Sequence, residues 1–476
     1  MRRVTDKERP MPKLAPLDSG YRGPVAEYRK NQGSVGKVKI VFVGASYKFV
    51  HRVLRDMILV GGFDEAQVVV HDIDEVPMQI VGDLLERIAR QQKTKIRVTK
   101  TPDLKEALRG AGAVILSITT GGRETDALSF EVCAKYGIPV GIGDTLGPAA
   151  LARNLRTLPV VEKLAREMQR LCPEAVLLNF TNPMSCVTGT AARTGVPTYG
   201  LCHSTDALIQ YFADVFRCRK SEVHLEAAGV NHQAFVTKLL VRGRDRTKEI
   251  LAATERSRGG IADTLTGAHD DVKLQQDLCR VLGCWPSTGA DHLAEFYRFF
   301  FTPRRAESLG LHAHLKKIVP GRKPFDRTPC PPIIHEWAYG PRPVGDLHRL
   351  TEEHAHELLW AHFAGEPYRR SLNILNTDEC VRGIPRDACV EVMATVAGRM
   401  VRPDVVELPT AARALVHQWT SIHDLSIRAA LHCDRDAARQ ALFLDPHVGD
   451  LYDIDGLLED FLTVLKPWLP KGWFRD

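Results

Sequence analysis

The stretch VKIVFVG, residues 38–44, decides the fold. A short apolar run that ends at a glycine predicts a buried strand followed by a tight turn. A helical stretch follows, and the run VVVHDID at residues 68–74 predicts a second strand that ends in acidic residues. The order strand, glycine turn, helix, strand and acid is typical of the first unit of a dinucleotide-binding fold.

Three residues of this unit are predicted to bind the dinucleotide. Gly44 lets the backbone turn tightly and approach a pyrophosphate at the helix N-terminus, and Ser46 lies in the same turn. Asp72 would accept hydrogen bonds from the ribose hydroxyls, and its charge would repel the extra phosphate of NADP, so NAD is the expected cofactor. The pattern GxGxxG is incomplete because Ser46 and Phe49 replace its later glycines, so a turn without a ligand stays open.

Strand-like and helical stretches alternate from residue 37 to about residue 205. This alternation predicts an α/β fold whose first domain, residues 37–205, is an NAD-binding, Rossmann-type, doubly wound parallel sheet. Residues 206–476 begin with strand-like runs and then read mostly as helix, with helical candidates at residues 352–363, 387–397 and 410–431. We therefore expect a C-terminal mixed α+β, mostly helical domain that binds substrate and takes part in catalysis.

The composition is ordinary for a soluble globular protein. Of the 476 residues, 44% are hydrophobic and 26% are charged, and the net charge is +6. Residues 1–36 are rich in Lys, Arg, Pro and Gly without a sustained period, which predicts a flexible extension rather than a nucleic-acid interface. No apolar run reaches the ~20 residues of a membrane helix. Eleven cysteines without a CxxC pair, and no secretory signal, favour a reducing, cytoplasmic setting.

Two predicted strands end in polar residues, NFTNPM at residues 179–184 and GLCHS at residues 200–204. Ligands bind at the carboxyl ends of parallel strands, and packing alone does not select an Asn or a Cys-His pair there. A third motif, GVNH at residues 229–232, supplies another His. A Cys and a His from separate elements can hold a divalent metal and leave positions open for substrate oxygens, although spacing alone leaves a coincidence open.

A glycine-rich turn, GDTLGP at residues 143–148, places Asp144 just before a predicted helix. An acidic residue at this point can stabilise the helix N-terminus, which favours negative charge, or it can take part in the catalysed reaction. The residues alone leave both roles open.

Taken in order, these motifs resemble glycoside hydrolase family 4, the NAD- and metal-dependent glycosidases. The resemblance rests on the Gly-Ala-Ser turn, GDTLGP, NFTNPM, GLCHS and GVNH, and it runs from about residue 37 to the end. It implies a fold like that of lactate and malate dehydrogenases, NAD with Mn²⁺ or another divalent metal, and a glycoside or glycuronide as substrate. It also implies a homodimer or homotetramer.

The resemblance implies a mechanism unlike two-carboxylate glycoside hydrolysis. NAD would take a hydride from C3 of the sugar, which makes the C2 proton acidic. A metal held by Cys202 and His232 would stabilise the enediolate while a base removes that proton. The C1–O bond would then break by elimination, water would add, and the hydride would return.

The resemblance also assigns roles to individual side chains. Asp144 would be the acid that assists the leaving group. Asn182 would lie beside the sugar, the metal and the nicotinamide, so it is expected to bind both substrate and cofactor. His203 and Asn231 are expected to contact the substrate, because neighbouring residues of a strand face opposite sides and His203 therefore points away from the metal held by Cys202.

The base that removes the C2 proton is expected to be Asp291, with His292 as the second candidate. Asp291 could equally serve the N-terminus of a short helix. The sugar and its anomer stay open, because the chain departs from the family at the second glycine of the phosphate loop and at Ala149-Ala150, where a glycine pair is usual.

Two other functions compete with the glycosidase. A plain NAD-dependent dehydrogenase of the lactate/malate type would need neither the Cys202/His232 pair nor NFTNPM. A relative that binds a sugar or nucleotide without turnover would explain the altered glycine turn, but it would not explain why the polar motifs are retained together.

Overall fold

The computed structural model of the protein describes residues 30–138, 140, 142–254, 260–262, 269–297, 330–351, 353–448 and 453–475. Most of the predicted N-terminal extension, residues 1–29, lies outside this part. The end of the extension is attached to the first helix, since the Asn31 and Val35 N–H groups donate to the carbonyls of Val60 and Gly62.

The first half of the chain alternates strands and helices. The strands are β1 Lys39–Val43, β2 Gln67–His71, β3 Arg97–Lys100, β4 Ala113–Leu116, β5 Val176–Asn179 and β6 Thr198–Gly200. The helices are α1 Val50–Val60, α2 Glu75–Gln91, α3 Leu104–Leu108, α4 Gly122–Lys135, α5 Pro148–Leu171, α6 Met184–Arg193 and α7 Ser204–Phe216.

These six strands form a parallel sheet in the order β3-β2-β1-β4-β5-β6. This is the doubly wound order of dinucleotide-binding domains, so the predicted fold class is confirmed. The central strands are covered on both faces, and every residue of β4 and β5 is buried. Burial on both faces explains why these strands appear in the sequence as continuous apolar runs rather than as alternating ones.

The second half adds both strands and helices. Its strands are β7 Val223–Val230, β8 Gln233–Val241, β9 Arg244–Asp245, β10 Gly260–Ala262, β11 His269–Asp271, β12 Trp285–Pro286, β13 Tyr368–Leu375, β14 Cys389–Ala397 and β15 Met400–Pro403. Its helices are α8 Thr247–Thr254, α9 Lys273–Leu282, α10 Ala290–Glu295, α11 Pro332–Tyr339, α12 Ala355–Ala364, α13 Thr410–His432, α14 Arg435–Leu444 and α15 Ile454–Leu465. Short 3₁₀ helices are Lys220–Glu222, Lys466–Trp468 and Lys471–Phe474.

The parallel sheet continues into the second half as an antiparallel one. Strand β13 pairs with β6 where Asn373 lies opposite Gly200, and β14, β7, β8 and β12 follow in that order. In the described residues one sheet of thirteen strands therefore crosses the boundary predicted at residue 205, and the division into two domains there stays a prediction. None of the described helices is long and apolar enough to cross a membrane.

The helix predicted at residues 387–397 was wrong, because this segment is strand β14. It pairs with β13 along its length and with β7 and β15 on its other side. Most of its residues are buried, so the sequence VEVMATVA shows no clean alternation, and its Ala, Met and Glu residues favour helix by composition.

Candidate active site

The carboxyl ends of the parallel strands carry four loops that are bonded to one another. The Ser117 hydroxyl donates to the Gly44 carbonyl at 3.2 Å, which joins the loops after β4 and β1. The Ile118 N–H donates to the Thr181 hydroxyl at 2.9 Å, which joins the loops after β4 and β5. The Leu201 N–H donates to the Asn179 carbonyl, so the loop after β6 follows directly. The turn at Gly44 and the motifs NFTNPM and GLCHS therefore share one edge of the sheet.

The turn after β1 requires only its first glycine. Gly44 has φ of 100°, and a Cβ placed on it would lie 2.2 Å from the Ser117 carbonyl oxygen. Ser46 does not have a left-handed φ, and its carbonyl accepts hydrogen bonds from the start of α1. Asp72 at the end of β2 accepts a 2.7 Å hydrogen bond from the Ala45 N–H. The later glycines of GxGxxG are thus not needed for this backbone, and NAD binding by Gly44, Ser46 and Asp72 stays a prediction.

Asn179 holds the loop that presents Asn182. Its amide is fully buried, accepts from the Thr181 N–H at 2.8 Å and donates to the Thr188 hydroxyl at 3.0 Å. The peptide bond between Asn182 and Pro183 is cis. Asn179 is therefore a structural residue, whereas the half-buried Asn182 faces the other loops.

Asp144 is brought next to Asn182 by the GDTLGP turn. The Asn182 amide donates to Asp144 Oδ2 at 2.9 Å, and the Thr145 hydroxyl donates to Asp144 Oδ1 at 2.9 Å. The Gly143 N–H donates to Glu295 of α10 at 2.9 Å and fixes the turn. Burial opposes ionisation of Asp144, but the charge of Arg153 and the hydrogen bond from Asn182 help to outweigh it, so the pKa of this carboxyl lies below its usual value.

Cys202 and His232 face each other, with 3.1 Å between Sγ and Nε2. Strand β7 ends at Val230 and β8 begins at Gln233, so Asn231 and His232 form a two-residue hairpin turn. His232 has φ of 65°, in the left-handed region that glycine or asparagine occupies more easily. Such backbone strain, roughly 1–3 kcal/mol, is characteristic of functional sites. Here it places the imidazole against the thiol.

The thiol of Cys202 and the imidazole of His232 are donor groups that are chemically suited to bind a divalent metal. Burial lowers the pKa of His232, which keeps the imidazole neutral, as a metal ligand must be. Burial also raises the pKa of the Cys202 thiol, so metal binding would have to displace its proton. Among the described residues no group of three or more His, Cys, Asp or Glu is arranged to hold a metal. A metal at this pair would therefore need ligands in addition to Cys202 and His232.

Thr145 connects the two pairs of residues. Its hydroxyl, which bonds Asp144, lies 3.5 Å from Nδ1 of His232. The hydrogen bond made by the second nitrogen of a ligand histidine sets its tautomer and orientation. Sequence reasoning missed Thr145, although it directly follows Asp144 in the motif.

The second candidate for the base, His292, lies against the predicted metal ligand. The rings of His292 and His232 have centroids 3.9 Å apart, and burial holds the pKa of His292 well below its usual value. Asp291 is in helix α10, but its side chain lies outside the described part of the structure, so its role as base stays a prediction. His203 occupies the N-cap position of α7 without a side-chain hydrogen bond to the helix, and its substrate contact stays a prediction.

Two buried charged residues beside this site were missed. Arg370 of β13 donates to the Cys202 carbonyl at 3.1 Å and to Asp206 at 2.8 Å. Glu391 of β14 accepts a 3.2 Å hydrogen bond from the Asn231 amide. A signal existed for Glu391, which is a charged residue inside a stretch that is otherwise apolar, but not for Arg370, which stands between Arg369 and Ser371. Asn231 is thus bonded to the protein, and its predicted substrate contact stays a prediction.

Residues 39–217 match the family model described as family 4 glycosyl hydrolase, and residues 227–448 match the model of that family's C-terminal domain. The chain belongs to glycosyl hydrolase family 4. The predicted resemblance is confirmed, and the two matches together span both halves of the sheet.

Individual relatives cover nearly the whole chain. The alpha-galactosidase of Bacillus subtilis (strain 168) is 29% identical over 446 residues, 91% of this chain and 99% of that protein. The alpha-galacturonidase of Thermoanaerobacter italicus (strain DSM 9252 / Ab9) is 25% identical over 480 residues, 93% and 99% of the two chains. A crystal structure of a 6-phospho-alpha-glucosidase from gut microorganisms, in complex with NAD and Mn²⁺, has a TM-score of 0.73 at 17% identity, over 91% and 99% of the chains. The family 4 fold is therefore shared.

Proposed function

We propose that this family 4 protein hydrolyses O-glycosidic bonds by transient oxidation of the sugar at C3, elimination across C1 and C2, addition of water and re-reduction. The observation that supports this most directly is the convergence of two pairs, Cys202 with His232 and Asp144 with Asn182. They lie at one sheet edge, are linked by Thr145, and share that edge with the turn at Gly44.

The groups that the reaction needs have places in this arrangement. When bound, NAD supplies a hydride acceptor and donor, and Mn²⁺ or another divalent metal polarises the oxygens of the sugar. The turn at Gly44 and Ser46, with Asp72 and Asn182, would hold the dinucleotide. Cys202 and His232 would hold the metal. A structural relative in complex with NAD and Mn²⁺ supports this choice of groups.

The side chains of this chain would orient the sugar and move protons. Asn182 and Thr145 fix both oxygens of Asp144, so the carboxyl has one orientation in the cleft. With a lowered pKa, Asp144 is ionised at neutral pH before substrate binds. Its assignment as the acid for the leaving group therefore requires that it gains a proton in the closed complex. A bound sugar that expels water would favour this, because desolvation disfavours the charged form.

The proposed substrate is a glycoside or glycuronide, with its sugar and anomer left to experiment. Relatives that are similarly distant are named alpha-galactosidase and alpha-galacturonidase, so the names do not select one sugar. We also propose that the protein is a homodimer or homotetramer in a cytoplasmic setting. Light scattering of the purified chain would test the oligomeric state.

A panel of aryl α- and β-glycosides and glycuronides tests the function. The reduced protein is incubated with each substrate, with and without NAD and Mn²⁺. Release of the aryl group that needs both additions supports the proposal. Net NADH accumulation with free sugars or hydroxy acids would identify a dehydrogenase instead, and calorimetric binding of sugar or NAD without turnover would identify a binding protein.

Cys202→Ser is the matched variant for the metal assignment. Serine preserves the size of the side chain but is a poor ligand for a divalent metal compared with a thiolate. We expect metal-dependent turnover to be abolished while the melting temperature without metal stays near that of the wild type. Full Mn²⁺-dependent activity in this variant would show that Cys202 does not hold the metal.

A further inference from the structure

Glu391 is a carboxylate at the centre of the sheet. It lies on β14, opposite Gly229 of β7 on one side and Asn373 of β13 on the other, and its exposure is 0%. An ionised side chain at such a position needs a compensating partner, because burial of an isolated charge is strongly unfavourable. The partner is not obvious from the sheet itself.

Three neutral side chains donate to this carboxylate. The Thr205 and Ser371 hydroxyls bond Oε1, and the Asn231 amide bonds Oε2. Thr205 lies three residues after Cys202, and Asn231 lies directly before His232. Glu391 therefore connects the two segments that carry the predicted metal ligands.

No positive charge is in contact with Glu391 within the described part of the chain. All three of its hydrogen bonds come from uncharged groups. Arg370, on the neighbouring strand, is instead bonded to Asp206 and to the Cys202 carbonyl. Through Thr205 and Asn231, the hydrogen bonds of Glu391 lead to the segments that carry Cys202 and His232. Its negative charge therefore lies next to both of these segments and is in contact with no cation among the described residues.

We infer that Glu391 is the buried counter-charge for the divalent cation at Cys202 and His232, and that it positions both ligands through Asn231 and Thr205. This inference rests on the proposed function. A thiolate, a carboxylate and a neutral imidazole carry two negative charges, which a divalent cation neutralises. Glu391 is a positioning residue and not a ligand, because the described residues contain no group of three His, Cys, Asp or Glu side chains arranged to hold a metal.

Glu391→Gln removes the charge with little change in shape. The glutamine oxygen can accept from Thr205 and Ser371, and its NH₂ group then faces Asn231. The Asn231 amide can turn over to accept from that group, since its Oδ1 atom is buried and has no partner among the described residues. Ser371→Ala is the matched control, because it removes one hydrogen bond to Glu391 and keeps the charge.

Calorimetric titration of the metal-free full chain with MnCl₂ tests the inference, together with melting curves with and without Mn²⁺. We expect Glu391→Gln to raise the Kd for Mn²⁺ roughly 10- to 100-fold, because the loss of a residue that supports metal ligands weakens metal affinity by that factor in other proteins. Ser371→Ala should change it by less than about threefold. Without metal the Tm of Glu391→Gln should equal or exceed that of the wild type, because a buried charge without a cation destabilises the metal-free protein.

The outcomes separate this inference from the proposed function. A wild-type Mn²⁺ Kd in Glu391→Gln would overturn the inference alone, if the wild type binds Mn²⁺ and Cys202→Ser does not. A Glu391→Gln protein that fails to fold, or melts well below the wild type without metal, would also overturn it by showing a purely structural role. If the wild type and Cys202→Ser bind Mn²⁺ equally, the metal assignment itself is wrong and the inference falls with it.

Discussion

Replacement of Gly44 by alanine should damage the turn on which the proposed NAD binding depends. At φ of 100° a non-glycine residue costs about 1–2 kcal/mol. The new Cβ would also lie 2.2 Å from the Ser117 carbonyl oxygen and 2.7 Å from its carbon, and both are backbone atoms that cannot rotate away. Forced overpacking of this kind adds about 1–3 kcal/mol. The expected loss of unfolding free energy is therefore about 2–5 kcal/mol.

Gly365, directly after helix α12, offers a matched control for this prediction. It is in the left-handed region with φ of 77° and ψ of 7°, and a Cβ placed on it would meet nothing within 4 Å. Gly365→Ala should therefore cost only the backbone part, about 1–2 kcal/mol. Urea denaturation measures both variants, and calorimetry measures their NAD affinity, which should fall only in Gly44→Ala. Equal losses in the two variants, or unchanged NAD affinity in Gly44→Ala, would refute the account of this turn.

Two further predictions concern the loops at the sheet edge. His232→Asn should change the unfolding free energy without metal by less than about 1 kcal/mol, because asparagine accepts the left-handed region, whereas Mn²⁺ binding measured by calorimetry should be lost. Retained Mn²⁺ binding would exclude His232 as a ligand. Asn179→Ala should cost about 1–3 kcal/mol in urea denaturation, because it leaves the buried Thr181 N–H and Thr188 hydroxyl without their partner. It should also lower kcat, because the loop that presents Asn182 would lose its support. An unchanged free energy of unfolding would contradict the structural role given to Asn179.

The parallel half of the fold was predictable because its strands are short and buried on both faces. Their apolar runs end in glycine or polar residues, and these mark the ligand edge directly. The segment at 387–397 was not predictable in the same way, since Glu391 interrupts it and one of its partner strands, β7, is distant in sequence. A single sequence contains no signal for pairings of that kind.

The site was only partly predictable from the residues alone. Spacing could not show that Cys202 and His232 would lie 3.1 Å apart, and the family resemblance was needed to pair them. Arg370 and Glu391 are bonded to the site from strands more than 150 residues away in sequence, as the separations of 168 and 160 residues to Cys202 and Asn231 show. The charged Glu391 inside an apolar stretch was a signal, Arg370 beside Arg369 was not, and the partners of both could not be named without coordinates.

Isotope exchange at C2 of the sugar during turnover tests the central claim most directly. An accepted aryl glycoside is hydrolysed in D₂O with NAD and Mn²⁺, and the sugar product is analysed by mass spectrometry and NMR. Oxidation at C3 followed by elimination predicts that deuterium from the solvent appears at C2 in the product. Hydrolysis that leaves the original C2 hydrogen in place would contradict the proposed mechanism.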